Sequence, residues 1–479
     1  MPDHTSPDAV PRVMLHLGLG SFHRAHQAVY QQALHDAGDA RWVLAGGNIR
    51  ADMADTVNAL RASGGAYTLE TVSPAGDRQY QRISSIRRVI RHDAQLSGLI
   101  ACGADAATRI VSFTVTEAGY YLHAHHRLDL GFADLAADLA ASRAGRPHPA
   151  TPSIYGALTA ILRARRTAGA GPLTLLNCDN LRHNGDRSRS GLLQFIELIG
   201  DAALLAWVQA HTSSPNAMVD RITPRPTPDV RARVLAATGI DDPAALMGER
   251  FIQWVIEDRF VAGRPAWDAV GVQMVDSVDA YEEAKIRLLN ATHSCIAWAG
   301  TLLGLTYIHE GTQHAAIRQM AFDYVTDDVI PVLSPAAAPS PIDLPAYRDV
   351  VLDRFANAGV ADTNQRVAMD GFSKIPGFIV PTIRERLAQG ASIASVAMLP
   401  ALFLAYLQQW HQGRIPYTYQ DQAMDPALAH AICDAADPVA AFCADGPLWG
   451  PLAGDARLLA ALRLAALRVE QFIQTNTSP

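Results

Sequence analysis

Val13 to Leu17 (VMLHL) is a short apolar run that stops at Gly18-Leu19-Gly20, and helical periodicity takes over from Phe22 to His35. An uncharged run ended by glycines predicts a strand buried on both faces and a tight turn into a helix. The same unit recurs. Trp42 to Ala45 (WVLA) ends at Gly46-Gly47, Ile110 to Val115 (IVSFTV) runs into Thr116-Glu117-Ala118-Gly119, and Leu173 to Asn177 (LTLLN) follows a Gly-Ala-Gly-Pro turn. Apolar strands that alternate with helices predict a parallel sheet covered on both faces, because each crossover helix must pack back on the sheet. Asp258-Arg259-Phe260 and Pro265-Ala266-Trp267 read as late loops or strands of the same domain.

After about residue 278 strand signals become rare. Helical periodicity runs over Tyr281 to Ala299, Ala315 to Val325, Ile383 to Gln389, Ile393 to Gln409 and Ala456 to Ile473. Asp279-x-x-Glu282 resembles a capping box for the first of these helices, and Pro331 to Pro345 reads as a long loop. The expected fold class is α/β: a Rossmann-like, mostly parallel sheet domain over residues 1–277, then a mostly α-helical domain over 278–479.

Composition removes several function classes. A net charge of -7 leaves no basic excess to neutralise phosphates, which argues against nucleic acid as a partner. No run of about 18 uncharged apolar residues is present, so no membrane span is expected, and the N-terminus lacks a charged-then-apolar leader. The cysteines Cys102, Cys178, Cys295, Cys433 and Cys443 form no C-x-x-C pair, which fits a reducing, cytoplasmic compartment.

Gly18, Gly20, Ser21 and Phe22 form the turn where backbone N–H groups could meet a pyrophosphate at a helix start. The third position of G-x-G-x-x-G is His23, so helix and strand cannot approach as closely there. A lone G-x-G is equally a simple βα turn. After the second strand, Asp52 is the candidate for the ribose hydroxyls and would favour NAD over NADP; Arg50 pulls the other way, and Asp52 is equally a helix-start residue. Beyond later strands lie Thr114 to Gly119, with Glu117 a further cofactor-side candidate, and Asn177-Cys178-Asp179-Asn180, although Asn and Asp favour turns for local reasons too. In the helical half Lys285, Asn290 and His293 fall within one wide arc of an α-helix turning about 100° per residue. They offer a base, an amide donor and an orienting imidazole; the bland alternative is a solvated helix face. His23-Arg24-Ala25-His26 and His123-Ala124-His125-His126 lack companion ligands at metal spacing, and no metal is expected.

Together these blocks resemble the polyol-specific long-chain dehydrogenases, the mannitol dehydrogenase family. The resemblance rests on LHLGLGSFHRAHQAVY, NCDNLRHNG, SPNAMVDRITP, KIRLLNATHS and DTNQRVAMDGFSKIP, ordered along nearly the whole chain. It implies NAD as cofactor, a small sugar alcohol or ketose as partner, substrate held between the two domains and no metal; members of that family are often monomers, and the sequence itself does not give the oligomeric state. Carried over residue by residue, it implies Lys285 as general base, Asn180 and Asn290 on the reacting oxygen and His293 orienting the substrate. Asp220, Arg366 and Lys374 match substrate-binding positions. Phe372 stands where the family often has serine, which puts substrate contacts there in question. AGGNIRADM, YTLETVSPAGDRQYQRISSI and TVTEAGYYL resemble most the branch that oxidises D-arabinitol to D-xylulose. The mannitol-oxidising branch, the uronate reductases and a catalytically inactive NAD-binding regulator are the alternatives. The full Lys/Asn/Asn/His set argues against the regulator, since nothing in a scaffold requires it.

Overall fold

A computed structural model describes residues 11–115, 117–122, 127–145 and 152–477. It divides into two compact units, Met1–Val72 with Arg78–Asp279, and Ala280–Pro479 with Ser73–Asp77.

The first unit is built on a six-stranded, wholly parallel sheet. Its strands are β1 (Arg12–Leu17), β2 (Trp42–Gly47), β3 (Ile86–Val89), β4 (Thr108–Phe113), β5 (Leu173–Asn177) and β6 (Thr212–Ser213), in the order β3-β2-β1-β4-β5-β6. The chain crosses from one side of β1 to the other between β3 and β4. The strand order therefore reverses beside β1, and a crevice opens there at the carboxyl ends of the strands. Period-2 alternation sends neighbouring residues into opposite cores. Leu15, Leu17, Val111, Phe113 and Leu175 pack with Leu158, Leu162 and Phe195 on one face. Met14, Leu44, Ile110 and Leu176 pack with Ala28, Tyr30 and Leu34 on the other. Each leucine removed from water in this way contributes roughly 1.5–3 kcal/mol. This double burial explains the uncharged strand runs.

The helix expected from Phe22 to His35 is two helices, Ser21–Ala25 and Gln27–Asp36. His26 leaves helical dihedrals between them (φ -126, ψ -85). Its Nε2 lies 2.8 Å from the Gln253 carbonyl, and its ring packs against Phe22, Tyr30 and Trp254. That anchoring accounts for the break. Two three-stranded sheets complete the unit: Leu246–Glu249 with Tyr67–Val72 and Arg78–Ile83, and Gln273–Val275 with Gln253–Glu257 and Ala217–Asp220.

The second unit is helical. Its first helix corrects the expectation of one regular α-helix. It begins at Asp279, whose N–H donates to Ser277 Oγ, so Asp279 is the first helical residue rather than the cap before it. α-Helix gives way to π-helix over Ala284–Asn290 and resumes over Ala291–Leu302. An i→i+5 ladder has wider turns, so the 100° rotation does not apply between Lys285 and Asn290. Further π segments occur at Tyr324–Val329 and Ile375–Ile379. Pro331 lies inside the helix Ile330–Leu333 and Pro345 inside Leu344–Phe355, which shortens the expected loop to residues 334–343.

Candidate functional site

In the first unit a cavity of about 500 Å³ opens at the reversal beside β1, lined by residues that include Gly18, Gly20, Asn48, Arg50, Asp52 and Thr114. Gly18 has φ +125, and a Cβ there would lie 3.5 Å from the Thr114 carbonyl, so only glycine turns the chain here without strain. Gly20 has an ordinary φ of -64, and a Cβ on it would meet nothing within 4 Å. The space above this backbone is therefore open, the kind of surface a pyrophosphate cradle requires. Ser21 and Phe22 open the short helix that follows.

Asn48 ties this turn to the next. Its Oδ1 accepts the Leu19 N–H at 2.8 Å, and its Nδ2 donates to the Asp52 carbonyl at 3.1 Å and carboxylate at 3.2 Å. Asp52 itself is exposed on the cavity wall. The helix after it starts at Ala54, with Met53 as its left-handed cap residue, so Asp52 does not cap that helix.

His23 fills the place of a third glycine by stacking on His16 of β1, with ring centroids 3.6 Å apart and planes 10° from parallel. The Nδ1 of His16 pairs with Ser112 Oγ at 2.8 Å, and the Nδ1 of His23 with Gln27 Oε1 at 3.3 Å. Burial pushes both imidazoles down, His16 well below its usual value and His23 to about 3. Both are neutral at pH 7, as a close stack of two titratable rings requires.

After β5, Asn177, Asp179 and Asn184 hold the turn together. Asn177 Nδ2 donates to the Asn184 carbonyl at 2.9 Å, and Asn177 Oδ1 accepts the Asp179 N–H at 2.8 Å. Asn184 Nδ2 donates to the Ala217 carbonyl at 2.7 Å, and Asp179 Oδ2 accepts the Val115 N–H at 2.8 Å and the Tyr120 hydroxyl. The local turn chemistry is thus real, and Asn180 sits exposed within the turn it builds. Asp220 is buried at the end of the strand Ala217–Asp220, opposite Gln253. The side chain of Glu117 and all of His123, His125 and His126 lie outside the described residues.

In the second unit Lys285 is buried, at 6% exposure, within the π segment that Asn290 ends. Asn290 is half-buried, and His293 follows in the first turn of regular helix. His293 stacks on Phe355 with centroids 4.2 Å apart, and its Nε2 lies 3.4 Å from Asp362 Oδ2. Asp362 also takes Arg366 Nε at 2.6 Å. Burial would raise the Asp362 carboxyl, yet His293 and Arg366 outweigh it and hold it well below the usual range. Burial lowers His293, and Asp362 opposes that shift. Lys374 donates from Nζ to the Val367 carbonyl at 2.6 Å, and burial pushes its ammonium down to about 8 against the pull of Asp370. Asp362 thus links two sequence candidates, His293 and Arg366, and the Lys374 charge acts on the same imidazole. Asp362 itself was not a sequence candidate. Its signal was available: it opens the DTNQR block and stands four residues before Arg366, the spacing of a helix-face ion pair.

Asn180, Asp220 and the cofactor-side residues belong to the first unit, and Lys285, Asn290, His293, Arg366 and Lys374 to the second. The first unit offers an open glycine turn with an acid on the same cavity. The second offers a buried amine and a carboxylate-held imidazole. Hydride transfer with proton abstraction needs both kinds of group.

Comparison with known proteins is consistent along the whole chain. Residues 12–269 match the mannitol dehydrogenase Rossmann domain, and residues 277–468 match the mannitol dehydrogenase C-terminal domain. D-arabinitol 4-dehydrogenase of Ralstonia nicotianae is 61% identical over 460 residues, covering 96% of each chain. D-arabinitol 4-dehydrogenase of Klebsiella pneumoniae is 54% identical over 449 residues, covering 94% of this chain and 96% of its own. The solved ternary complex of Pseudomonas fluorescens mannitol 2-dehydrogenase with NAD and D-mannitol superposes with a TM-score of 0.82 at 34% identity, covering 98% of this chain and 94% of that one.

Proposed function

We propose that this chain, which belongs to the mannitol dehydrogenase family, oxidises the secondary alcohol of D-arabinitol to the ketone of D-xylulose with NAD. The observation that carries the substrate is the 61% identity to a D-arabinitol 4-dehydrogenase over 96% of both chains. The cavity beside β1 fits the cofactor. The positive φ of Gly18, the open space over Gly20 and the carboxylate of Asp52 supply what a dinucleotide needs. NAD, when bound, supplies the acceptor for the hydride that leaves the carbinol carbon.

The protein's own groups handle the proton. Lys285 takes it from the hydroxyl. A free lysine, with a pKa near 10.4, is too basic for this at neutral pH; Lys285 is buried, at 6% exposure. Asn180 and Asn290 donate amide hydrogens to the oxygen as negative charge develops, which stabilises the transition state more than the bound alcohol. His293, fixed by Asp362 and Phe355, orients the substrate, with Asp220, Arg366 and Lys374 binding its other hydroxyls. Domain roles follow: residues 1–277 bind the nucleotide, and residues 278–479 carry the base and most of the polyol contacts. We extend the reading to a cytoplasmic monomer. The five free cysteines support the compartment, and among the described residues no helix is long and apolar enough to cross a membrane.

A panel of D-arabinitol, D-mannitol, D-sorbitol and xylitol with NAD, followed at the reduced-nicotinamide band, tests the reading. D-arabinitol is expected to have the highest kcat/KM. A higher value for D-mannitol would move the chain to the mannitol branch, and no reduced cofactor with any polyol would remove the proposed reaction.

A further inference from the structure

Among the described residues lining the cofactor cavity, Arg50 is a cation whose presence conflicts with the proposed preference. Arg50 lines the same cavity as Asp52, and a guanidinium beside a ribose is what a 2′-phosphate would use. Its surroundings resolve the conflict. Arg50 Nη2 donates to the Tyr121 hydroxyl at 3.1 Å and lies 3.5 Å from Asp134 Oδ2. The Tyr121 hydroxyl donates in turn to Asp134 Oδ2 at 2.6 Å. Tyr121 and Asp134 also line the cavity, so the relay is part of its wall. Burial and Asp134 push the Tyr121 hydroxyl up to about 12, so it stays protonated and keeps donating. Tyr121 is a non-glycine residue with φ +50, a conformation that persists only where its surroundings hold it. Its ring is edge-on to Phe132, with centroids 5.4 Å apart.

We propose that Asp134, acting through Tyr121, is a specificity-determining residue: it holds and neutralises Arg50, and so denies the cavity the cation that NADP would need. A 2′-phosphate arriving here meets two carboxylates, Asp52 and Asp134, and a guanidinium already engaged. A 2′-hydroxyl meets no such repulsion. Arg50 and Asp134 side chains are 44% and 31% exposed, so solvent screens the pair and the effect should be moderate. The inference rests on reading the cavity as the dinucleotide site.

The test uses the full chain and compares kcat/KM for NAD and NADP with D-arabinitol, alongside binding of each cofactor by fluorescence titration. Asp134→Asn should raise the NADP-to-NAD ratio by about tenfold, which is about 1.4 kcal/mol of discrimination. Tyr121→Phe, which keeps the ring and loses only the hydroxyl, should raise it about threefold and serves if the first variant does not fold. Adding Arg50→Gln to Asp134→Asn should return the ratio to the wild-type value. A ratio unchanged in both single variants, a gain that survives the loss of Arg50, or a wild type that uses NADP as well as NAD would overturn the proposal. A wild type that binds neither cofactor would remove the cavity assignment itself, whereas tight NAD binding with unmoved ratios would remove only the role of Asp134.

Discussion

The glycine turn of the first unit and the π segment of the second, the two regions of the proposed reaction, are shaped by opposite means. Around Gly18 the sheet sets the geometry: parallel strands in the order β3-β2-β1-β4-β5-β6, a crevice where that order reverses, and a glycine at positive φ in the first turn. Around Lys285 the regularity is broken, because an α-helix widens to π for seven residues at the proposed base. A nucleotide needs a smooth, open cradle of backbone, which sheet topology provides at no extra cost. A buried amine needs a specific direction, and a local irregularity can supply it. If the division holds, substitutions in the two regions should have separable signatures.

The largest effect is expected at Lys285. Lys285→Ala should lower kcat by at least about 1,000-fold and leave the NAD dissociation constant within about threefold. Equal losses in both would erase the distinction between the regions. Asp362→Asn should come next, with kcat down by about tenfold and a changed pH–rate profile, since the His293 imidazole loses the carboxylate that opposes its lowering. A loss of stability with an unaltered profile would make Asp362 purely structural. Gly18→Ala forces a side chain into φ +125, a strain of about 1–3 kcal/mol. NAD affinity should weaken about tenfold, with kcat at saturating NAD nearly kept; titration calorimetry with steady-state rates separates the two.

The smallest effect concerns pH. His16 and His23 have folded pKa values lowered by burial, so the unfolded chain binds more protons than the folded one below about pH 6.5. Stability therefore falls as pH falls. For His23 the window runs from about 6.5 down to about 3, at about 1.4 kcal/mol per pH unit. The melting temperature should drop by a few degrees per pH unit between 6.5 and 5, and His23→Asn should flatten that slope. An unchanged slope would mean that other groups dominate the acid limb.

Much of the first unit is legible from sequence. β1, β2, β4 and β5 are long enough and buried enough to appear as uncharged runs ended by glycine or polar turns. β3 is not legible: it has four residues, IRRV, with both arginines exposed. β6 has only two residues. The strand Arg78–Ile83 pairs only with Tyr67–Val72 in its sheet and buries only Ile83, so it carries almost no apolar signal. In the helical unit the presence of helices was legible and their irregularities were not. A π segment has no compositional mark, because it depends on how distant residues pack. Asp362 and Asp134 were missed for a related reason. The spacing of Asp362 and Arg366 is visible in the sequence, but the pairs Asp362 with His293 and Asp134 with Arg50 join residues remote in sequence, and only the fold brings them together.

The proposed reaction oxidises D-arabinitol at one particular carbinol, and the identity of the ketose formed reports which. Complete conversion with NAD, followed by NMR identification of the ketose, should give D-xylulose with one equivalent of reduced cofactor. D-ribulose, the product of oxidation at the other internal end of the same polyol, would contradict the account, as would consumption of no D-arabinitol at all.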